Sequence, residues 1–143
     1  MKDESRVCRS AFTLIEMLIV CVIVGVVAGM AAPRMRATMD AFAVEGAARD
    51  VSNTFALARL AALRHGGADV RLDTNALVIR AGGRVVREAN VARVHGVRMR
   101  VTVTLVRYAA TGLGIGLSNG SVILSRGTST DTVVISRLGR VRR

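Results

Sequence analysis

Three patterns of hydrophobic and polar positions follow one another along the chain. Residues 17–32 include no charge, and with residues 12–15 they reach the ~20 apolar residues that a helix needs to cross a bilayer. Beyond Pro33 the apolar residues recur at spacings of three and four up to Gly66-Gly67, which is typical of an amphipathic helix with a glycine C-cap. After Gly67 the spacing changes to two, which is typical of strands with one buried side. The pattern therefore predicts a membrane segment, an amphipathic helix and a β domain, in that order.

The amphipathic segment is rich in alanine on its apolar face, which suits close packing against a sheet. Pro33 precedes this segment; it lacks a backbone donor and its ring clashes with the preceding turn, so we expect the helix to kink there rather than end. The predicted apolar face consists of Val44, Ala47, Ala48, Val51, Phe55, Ala58 and Ala62.

The β half is divided by turn signals at Asp73-Thr74-Asn75 and Gly82-Gly83. Its clearest predicted strand is residues 97–105, where apolar side chains alternate with Arg and Thr. Two further strands are predicted at residues 121–125 and 132–136. The whole pattern predicts an α+β protein, in which a long helix packs on an antiparallel sheet of about six or seven strands.

Glu16 is the one charged residue within the apolar run that starts at Phe12. A carboxylate in an apolar helix costs ~2.5 to 3.5 kcal/mol on membrane-insertion scales, and such residues usually have a partner that neutralises them. The position of Glu16 therefore predicts a cationic partner.

The segment Phe12-Thr13-Leu14-Ile15-Glu16, preceded by a short basic leader, resembles the N-terminus of type IV pilins and of type II secretion pseudopilins. The resemblance implies that a prepilin peptidase cuts between Ala11 and Phe12, and that Phe12 is then N-methylated. It also implies that Glu16 pairs with the N-terminal ammonium of a neighbouring subunit during assembly. Ala11 stands where the family has Gly.

Two other interpretations of the N-terminus stay open. A secretory signal peptide has a basic start and an apolar core, and Gly29-Met30-Ala31 is similar to its cleavage site, although this apolar run exceeds the usual ~7 to 15 residues. A plain single-pass anchor fits the apolar run but gives Glu16 no purpose.

The downstream half resembles a narrower group, the family that unites the type II secretion minor pseudopilin H (GspH) and the minor pilin FimT. The resemblance rests on Phe55-Ala56-Leu57-Ala58-Arg59, on the Gly-rich residues 111–120 and on the closing residues 136–142. It implies a minor pseudopilin in the bacterial inner membrane, with its C-terminal domain in the periplasm until it enters a pseudopilus. The implied partners are other pseudopilins or pilins and the prepilin peptidase. The alternative within this family is a FimT-like minor type IV pilin that binds double-stranded DNA for natural transformation.

The composition is strongly basic, with a formal net charge of +11, which favours polyanions or acidic partners. The basic end of the chain resembles the Gly-Arg-x-Arg tail associated with DNA capture in the FimT branch, and its candidate phosphate-binding residues are Arg140, Arg142 and Arg143. Tyr108 is the one aromatic residue beyond the helix, so no stacking platform for single strands is expected, and duplex backbone is the predicted ligand. We expect a free tail that packs little. The plain alternative is a solvated end on an Arg-rich chain.

Candidate residues for catalysis or metal binding are scattered. Gly112-Leu113-Gly114-Ile115-Gly116 lacks the spacing of a phosphate-binding loop and is expected to be a loop between strands. His65 and His95 have no Cys or carboxylate at ligand spacing in the sequence, and Cys8 and Cys21 leave no disulfide for the domain. Calcium binding by Asp69, Asp73 and Asp131 depends on a fold that brings them together, and turn acids are the preferred interpretation. We therefore expect a protein that is not an enzyme and needs no cofactor or metal.

These inferences divide the chain into five predicted segments: a leader (1–11), the transmembrane half of a helix (12–32), its amphipathic half (33–65), an antiparallel β domain (66–137) and a basic C-terminal tail (138–143).

Overall fold

The computed structural model of the protein describes residues 12–116 and 119–143, without the side chains of residues 31–33. The predicted leader, including Ala11, lies outside these residues. The helices are α1 (Leu14–His65) and α2 (Val91–His95). The strands are β1 (Gly67–Leu72), β2 (Leu77–Ala81), β3 (Arg84–Ala89), β4 (Arg98–Val101), β5 (Leu105–Ala109), β6 (Gly114–Ile115), β7 (Gly120–Arg126), β8 (Ser129–Ile135) and β9 (Val141–Arg142). The chain forms two compact units, whose boundary follows Arg36.

The first unit contains the start of α1. Thr13 caps the helix, because its Oγ1 accepts a hydrogen bond from the Glu16 N–H at 3.3 Å. The large apolar side chains between Leu14 and Met30 are exposed within the protein itself. The helix continues through Pro33, as predicted, while a kink at Pro33 stays a prediction.

The second unit begins at Ala37 and contains the rest of α1, α2 and both sheets. All seven residues of the predicted apolar face are buried, so this prediction is confirmed. Thr54 is also buried; its hydroxyl donates to the Asp50 carbonyl oxygen at 2.7 Å, which satisfies a polar group in the core.

The first sheet has the strand order β3-β2-β1-β5-β6, with antiparallel neighbours throughout. Burial alternates along β1 and β2, whereas β3 at the edge is exposed along almost its full length. Gly82 and Gly83 join β2 to β3 with φ of 57° and 76°, the left-handed conformation that a two-residue hairpin turn of this kind requires.

The second sheet has the order β4-β7-β8-β9, also antiparallel. Its buried side chains join the same apolar core as the helix and the first sheet. The α+β class, with a long helix packed on antiparallel sheets, is thus confirmed. The core residues from this sheet are Met99, Val122, Leu124, Val133 and Ile135.

The prediction of one strand over residues 97–105 is wrong. β4 belongs to the second sheet and β5 to the first, and residues 102–104 pass from one to the other. The Thr102 N–H donates to the Ser121 carbonyl in the second sheet, whereas the Thr104 carbonyl accepts from the Leu72 N–H in the first. The buried side of the chain changes phase at this crossing: Met99 is buried in β4, whereas Leu105 is exposed and Val106 is buried in β5.

Four other features differ from the sequence-based expectations. The helix α2 was not predicted, and β6 lies within the Gly-rich segment that we expected to be a loop. The predicted strands at residues 121–125 and 132–136 are longer in the structure, so that only a tight turn separates β7 from β8. β9 lies in the segment that we expected to be a free tail.

Candidate functional site

The first candidate site is the start of α1. Phe12 and Glu16 are both exposed, and Thr13 and Glu16 take the N-cap and third positions of a capping-box pattern. A carboxylate in the first turn also interacts favourably with the helix dipole. Within the part of the chain that the structure describes, Glu16 has no ion-pair partner. Its carboxylate is available for a cation from outside the molecule.

The apolar part of α1 has the properties of a membrane-spanning helix. Among the described residues, α1 is the one helix long and apolar enough to cross a bilayer, with a mean hydropathy of 2.7 in its most apolar stretch. None of that stretch is buried inside the protein. This exposure differs from that of a core helix in a soluble domain, which would be mostly buried.

The second candidate site is the basic C-terminal segment, and here the expectation of a loosely packed tail is wrong. β9 pairs with β8, and the Ser136 N–H donates to the Arg140 carbonyl at 2.8 Å. The Tyr108 hydroxyl donates to the Gly139 carbonyl at 3.0 Å. Burial of Tyr108 raises its pKa to about 12. The segment is held because Tyr108 gives its main chain a buried partner and because Val141 packs against the core.

Gly139 fits this arrangement because it has no side chain. Its φ is 74°, in the left-handed region, and a Cβ there would overlap the Tyr108 ring. The turn that leads into β9 therefore depends on a glycine at this position.

The three arginines of the segment differ in their surroundings. Arg143 forms ion pairs with Asp131 and with Glu45, the latter at 3.4 Å between Nη1 and Oε1. The hydrogen bond to Asp131 raises the pKa of Arg143, while hydrogen bonds from Arg49 and then Arg143 lower the pKa of Glu45. Arg140 and Arg142 are exposed and have no ion pair with the described residues. Of the three arginines predicted to bind phosphate, Arg140 and Arg142 therefore have no ion-pair partner among the described residues, whereas Arg143 has two.

Arg59 joins Arg140 and Arg142 around a groove of about 550 Å³ between α1 and the C-terminal segment, which also includes Ser52. We did not predict a role for Arg59; its place on the helix, seven residues beyond Ser52 and outside the apolar face, was the available signal. Guanidinium groups form charge-assisted, bidentate hydrogen bonds with phosphates and carboxylates. This basic groove, formed by Arg59, Arg140 and Arg142, can therefore bind an anion.

His95 has a partner that sequence spacing did not reveal. Its Nε2 lies 2.7 Å from Asp50 Oδ2 on α1, and its carbonyl accepts a hydrogen bond from Arg126 at 2.8 Å. Arg126 also pairs with Asp40 at 2.8 Å. These contacts connect α1, α2 and the second sheet, so they are structural in character.

The three aspartates considered for calcium are not brought together. Asp69 lies 3.7 Å from Arg107, Asp73 accepts a hydrogen bond from the Thr74 N–H, and Asp131 pairs with Arg143. Across residues 12–116 and 119–143, no three His, Cys, Asp or Glu side chains are grouped to hold a metal.

Comparison with known proteins agrees with the first site and the fold. Residues 6–32 match the family model described as the prokaryotic N-terminal methylation motif. This match covers the segment Phe12-Thr13-Leu14-Ile15-Glu16 and the apolar run, which is less than half of the chain. A search of curated protein sequences gives no significant match.

The fold is similar to that of solved type IV pilin structures. Two of them are crystal forms of the type IV minor pilin FimU from Pseudomonas aeruginosa strain PAO1. The P21 form has a TM-score of 0.57 at 16% identity and aligns over 69% of this chain and 86% of FimU. The P65 form has a TM-score of 0.56 at 15% identity, over 68% and 90% of the two chains. The chain thus combines a prepilin-type methylation motif with a type IV pilin-like fold.

Proposed function

We propose that this protein is a minor pseudopilin of a type II secretion system, a structural subunit of the GspH type. Prepilin peptidase cleaves it between Ala11 and Phe12 and methylates the new amino terminus at Phe12. Its apolar helix holds it in the inner membrane, and the C-terminal domain lies in the periplasm. It then joins other pseudopilins in a periplasmic pseudopilus that serves protein secretion.

The single observation that carries this proposal is the start of α1. The methylation motif leads directly into an apolar helix whose large side chains are not covered by other described residues of the protein. The exposed Glu16 lies in the first turn of that helix. A bilayer covers such a helix before assembly, and the helices of neighbouring subunits cover it afterwards. An isolated carboxylate is costly in both places, and a neighbour's N-terminal ammonium would neutralise it in the filament. The likeness to FimU supports the minor-pilin part of the proposal.

Deletion of the gene in its native host tests the choice of system. We expect the deletion strain to retain normal DNA uptake but to lose secretion of its extracellular enzymes into the medium, with those enzymes accumulating in the periplasm. Complementation with the wild-type gene serves as the control. Normal secretion together with lost transformation would overturn the secretion role and support the alternative below.

That alternative is a FimT-like minor pilin that binds double-stranded DNA for natural transformation. The basic groove favours it, because Arg59, Arg140 and Arg142 face a common space without carboxylate partners among the described residues. Arginine contacts of this kind bind the phosphates of the duplex and carry little information about its base sequence. A groove of three cations predicts weak and salt-sensitive binding to any duplex.

A further inference from the structure

The edge strand β3 differs from the other strands of the first sheet. It is the end strand of that sheet and has a strand partner only at β2 among the described residues. Residues 84–88 are all exposed, so neither face of the strand is covered over most of its length. Its free edge presents main-chain N–H and C=O groups that can pair with another extended segment.

The pairing of β3 with β2 contains a β-bulge. The register with β2 changes from Ile79 opposite Arg87 to Arg80 opposite Val85, which leaves Val86 as the extra residue. Bulges of this kind redirect side chains. Val86 and Arg87 border a cavity of about 310 Å³ together with Leu57, Leu60 and Arg64 of α1.

This cavity, which we call the edge groove, is lined by both apolar and cationic side chains. Leu60 is 44% exposed and Val86 is 50% exposed, so both retain apolar surface for a partner. Arg64 and Arg87 supply two positive charges, and neither has an ion pair with the residues that the structure describes. The acidic residue of β3, Glu88, borders a different cavity.

We propose that the edge groove is a docking site for an acidic, extended segment of a different protein. The segment adds a strand beside β3, about 4.8 Å away, and forms main-chain hydrogen bonds with it. Its apolar side chains lie against Leu60 and Val86, and its carboxylates pair with Arg64 and Arg87. A second copy of this chain is a poor occupant, because two surfaces of a protein with net charge +11 repel one another.

Binding of a synthetic peptide to the full chain in detergent micelles tests the proposal. The probe is a fluorescein-labelled, seven-residue peptide with Glu at two positions on each end and Val or Leu at its three central positions, so that an extended strand carries acidic and apolar side chains on the same face. We expect fluorescence anisotropy to rise on titration, and Arg64→Glu combined with Arg87→Glu to weaken binding by about tenfold or more. The matched control is Arg98→Glu combined with Arg100→Glu, which changes the charge equally on β4, the edge strand of the second sheet. An equal loss with both pairs, or no binding to the wild type, would overturn the proposal.

Two further comparisons separate docking as a strand from simple attraction of charges. A peptide with the same charge but with Pro at its apolar positions cannot form the main-chain ladder, and we expect its binding to be lost. Leu60→Ser should weaken the parent peptide by about fivefold, whereas Val94→Ser, on the exposed side of α2, should leave it unchanged. Equal binding of the Pro peptide would overturn strand addition, and an unchanged affinity with Leu60→Ser would overturn the apolar contact.

The identity of the occupant is tested in the native host with a photoreactive benzoylphenylalanine at position 86 and, as control, at position 94. We expect a crosslink from position 86 to an acidic segment of another protein, absent when Arg64 and Arg87 carry the substitutions to Glu. A crosslink between two copies of this chain, or no crosslink above the control, would overturn the proposal. The peptide titration does not depend on processing or on the filament, so its outcome is separate from that of the proposed function.

Discussion

Glu16 has two separable roles at the residue scale. Its main-chain N–H is the group that Thr13 caps, whereas its carboxylate is exposed and unpaired within the described residues. Substitution of the Glu16 side chain therefore leaves the cap in place, and substitution of Thr13 leaves the carboxylate in place. Helix initiation and assembly can thus be tested independently.

We expect Glu16→Ala to insert into the membrane as well as the wild type or better, because the insertion cost of the carboxylate is removed. We also expect this variant to fail to enter the filament, because the partner of the neighbouring ammonium is gone. Crosslinking to companion pseudopilins measures incorporation. Thr13→Ala is the control: it costs about 1 kcal/mol of helix stability but should retain incorporation. Wild-type crosslinking yield with Glu16→Ala would contradict the assembly role.

Tyr108 is a second residue with a measurable consequence, because burial raises its pKa to about 12 from 10. The folded state therefore holds the phenol proton more tightly than the unfolded state does. This contribution to stability is fully present below pH 10 and is lost as pH rises through about 12.

The free energy of unfolding should accordingly fall between pH 10 and pH 12, and Tyr108→Phe should reduce that fall by roughly 2 to 3 kcal/mol. At pH 7 the same variant should be less stable by about 1 kcal/mol, since the hydrogen bond to Gly139 is lost. Urea unfolding at a series of pH values measures both effects. An identical pH dependence in the variant would show that Tyr108 does not titrate in this range.

At the scale of elements, the C-terminal segment and α1 together form the basic groove. Arg143 is held by Asp131 and Glu45, so Arg59 replaces it as the third cation available to a phosphate. Main-chain hydrogen bonds hold Arg140 and Arg142, so less main-chain freedom is lost on binding than in a free tail.

If the groove binds duplex DNA, three released counterions give a log-log salt slope of roughly −2.7, and affinity should fall about 40-fold between 50 and 200 mM salt. Replacement of Arg59, Arg140 and Arg142 by Ala should abolish that slope for every duplex sequence. Fluorescence anisotropy with two unrelated duplexes measures it. The charge-matched control replaces Arg93, Arg98 and Arg100, which lie on α2 and β4. Equal effects of the two triple variants would contradict a localised DNA site.

Sequence periodicity predicts burial correctly where a single helix or strand packs against the core along its whole length. The face of α1 from Val44 to Ala62 was predictable because helical spacing and burial coincide. The division between β4 and β5 was not predictable, because polar and apolar residues alternate in the sequence through residues 102–104 and this alternation does not show which sheet a strand joins. The neighbours of Arg59 and Arg143 could not be predicted, because they are distant in sequence and no local pattern encodes such contacts. The ion pair of Arg143 with Glu45 is an example.

At the scale of the whole molecule, the boundary after Arg36 separates an apolar helical unit from a domain with its own core. The buried hydrophobic residues of the second unit all belong to residues 44–135, so its core is built from its own residues.

We therefore expect residues 37–143, produced alone, to fold and remain monomeric. Circular dichroism should show mixed helix and strand with cooperative unfolding, and gel filtration should give the monomer size. Ala48→Asp, a charge in the core, is the control that should unfold it. Aggregation of the wild-type fragment would contradict the independence of the domain.

Processing gives a prediction for the full chain. We expect membrane-extracted protein to begin at Phe12 and to carry one methyl group at its amino terminus, as measured by intact mass. Ala11→Gly, which restores the family residue, should give at least as complete cleavage. A mature start at Ala32 would establish a conventional signal peptide, and an intact Met1 would show that Ala11 blocks the peptidase.

The close approach of Tyr108 to Gly139 bears on how the tail should be interpreted in other sequences. Because the Tyr108 ring excludes a side chain at position 139, the fold itself demands the first residue of the Gly-Arg-x-Arg pattern, whatever the protein binds. A search of genomes for this pattern would recover chains that share the packing along with those that share the ligand. The informative positions in such a search are the arginines that follow the glycine, Arg140 and Arg142, because their side chains are exposed.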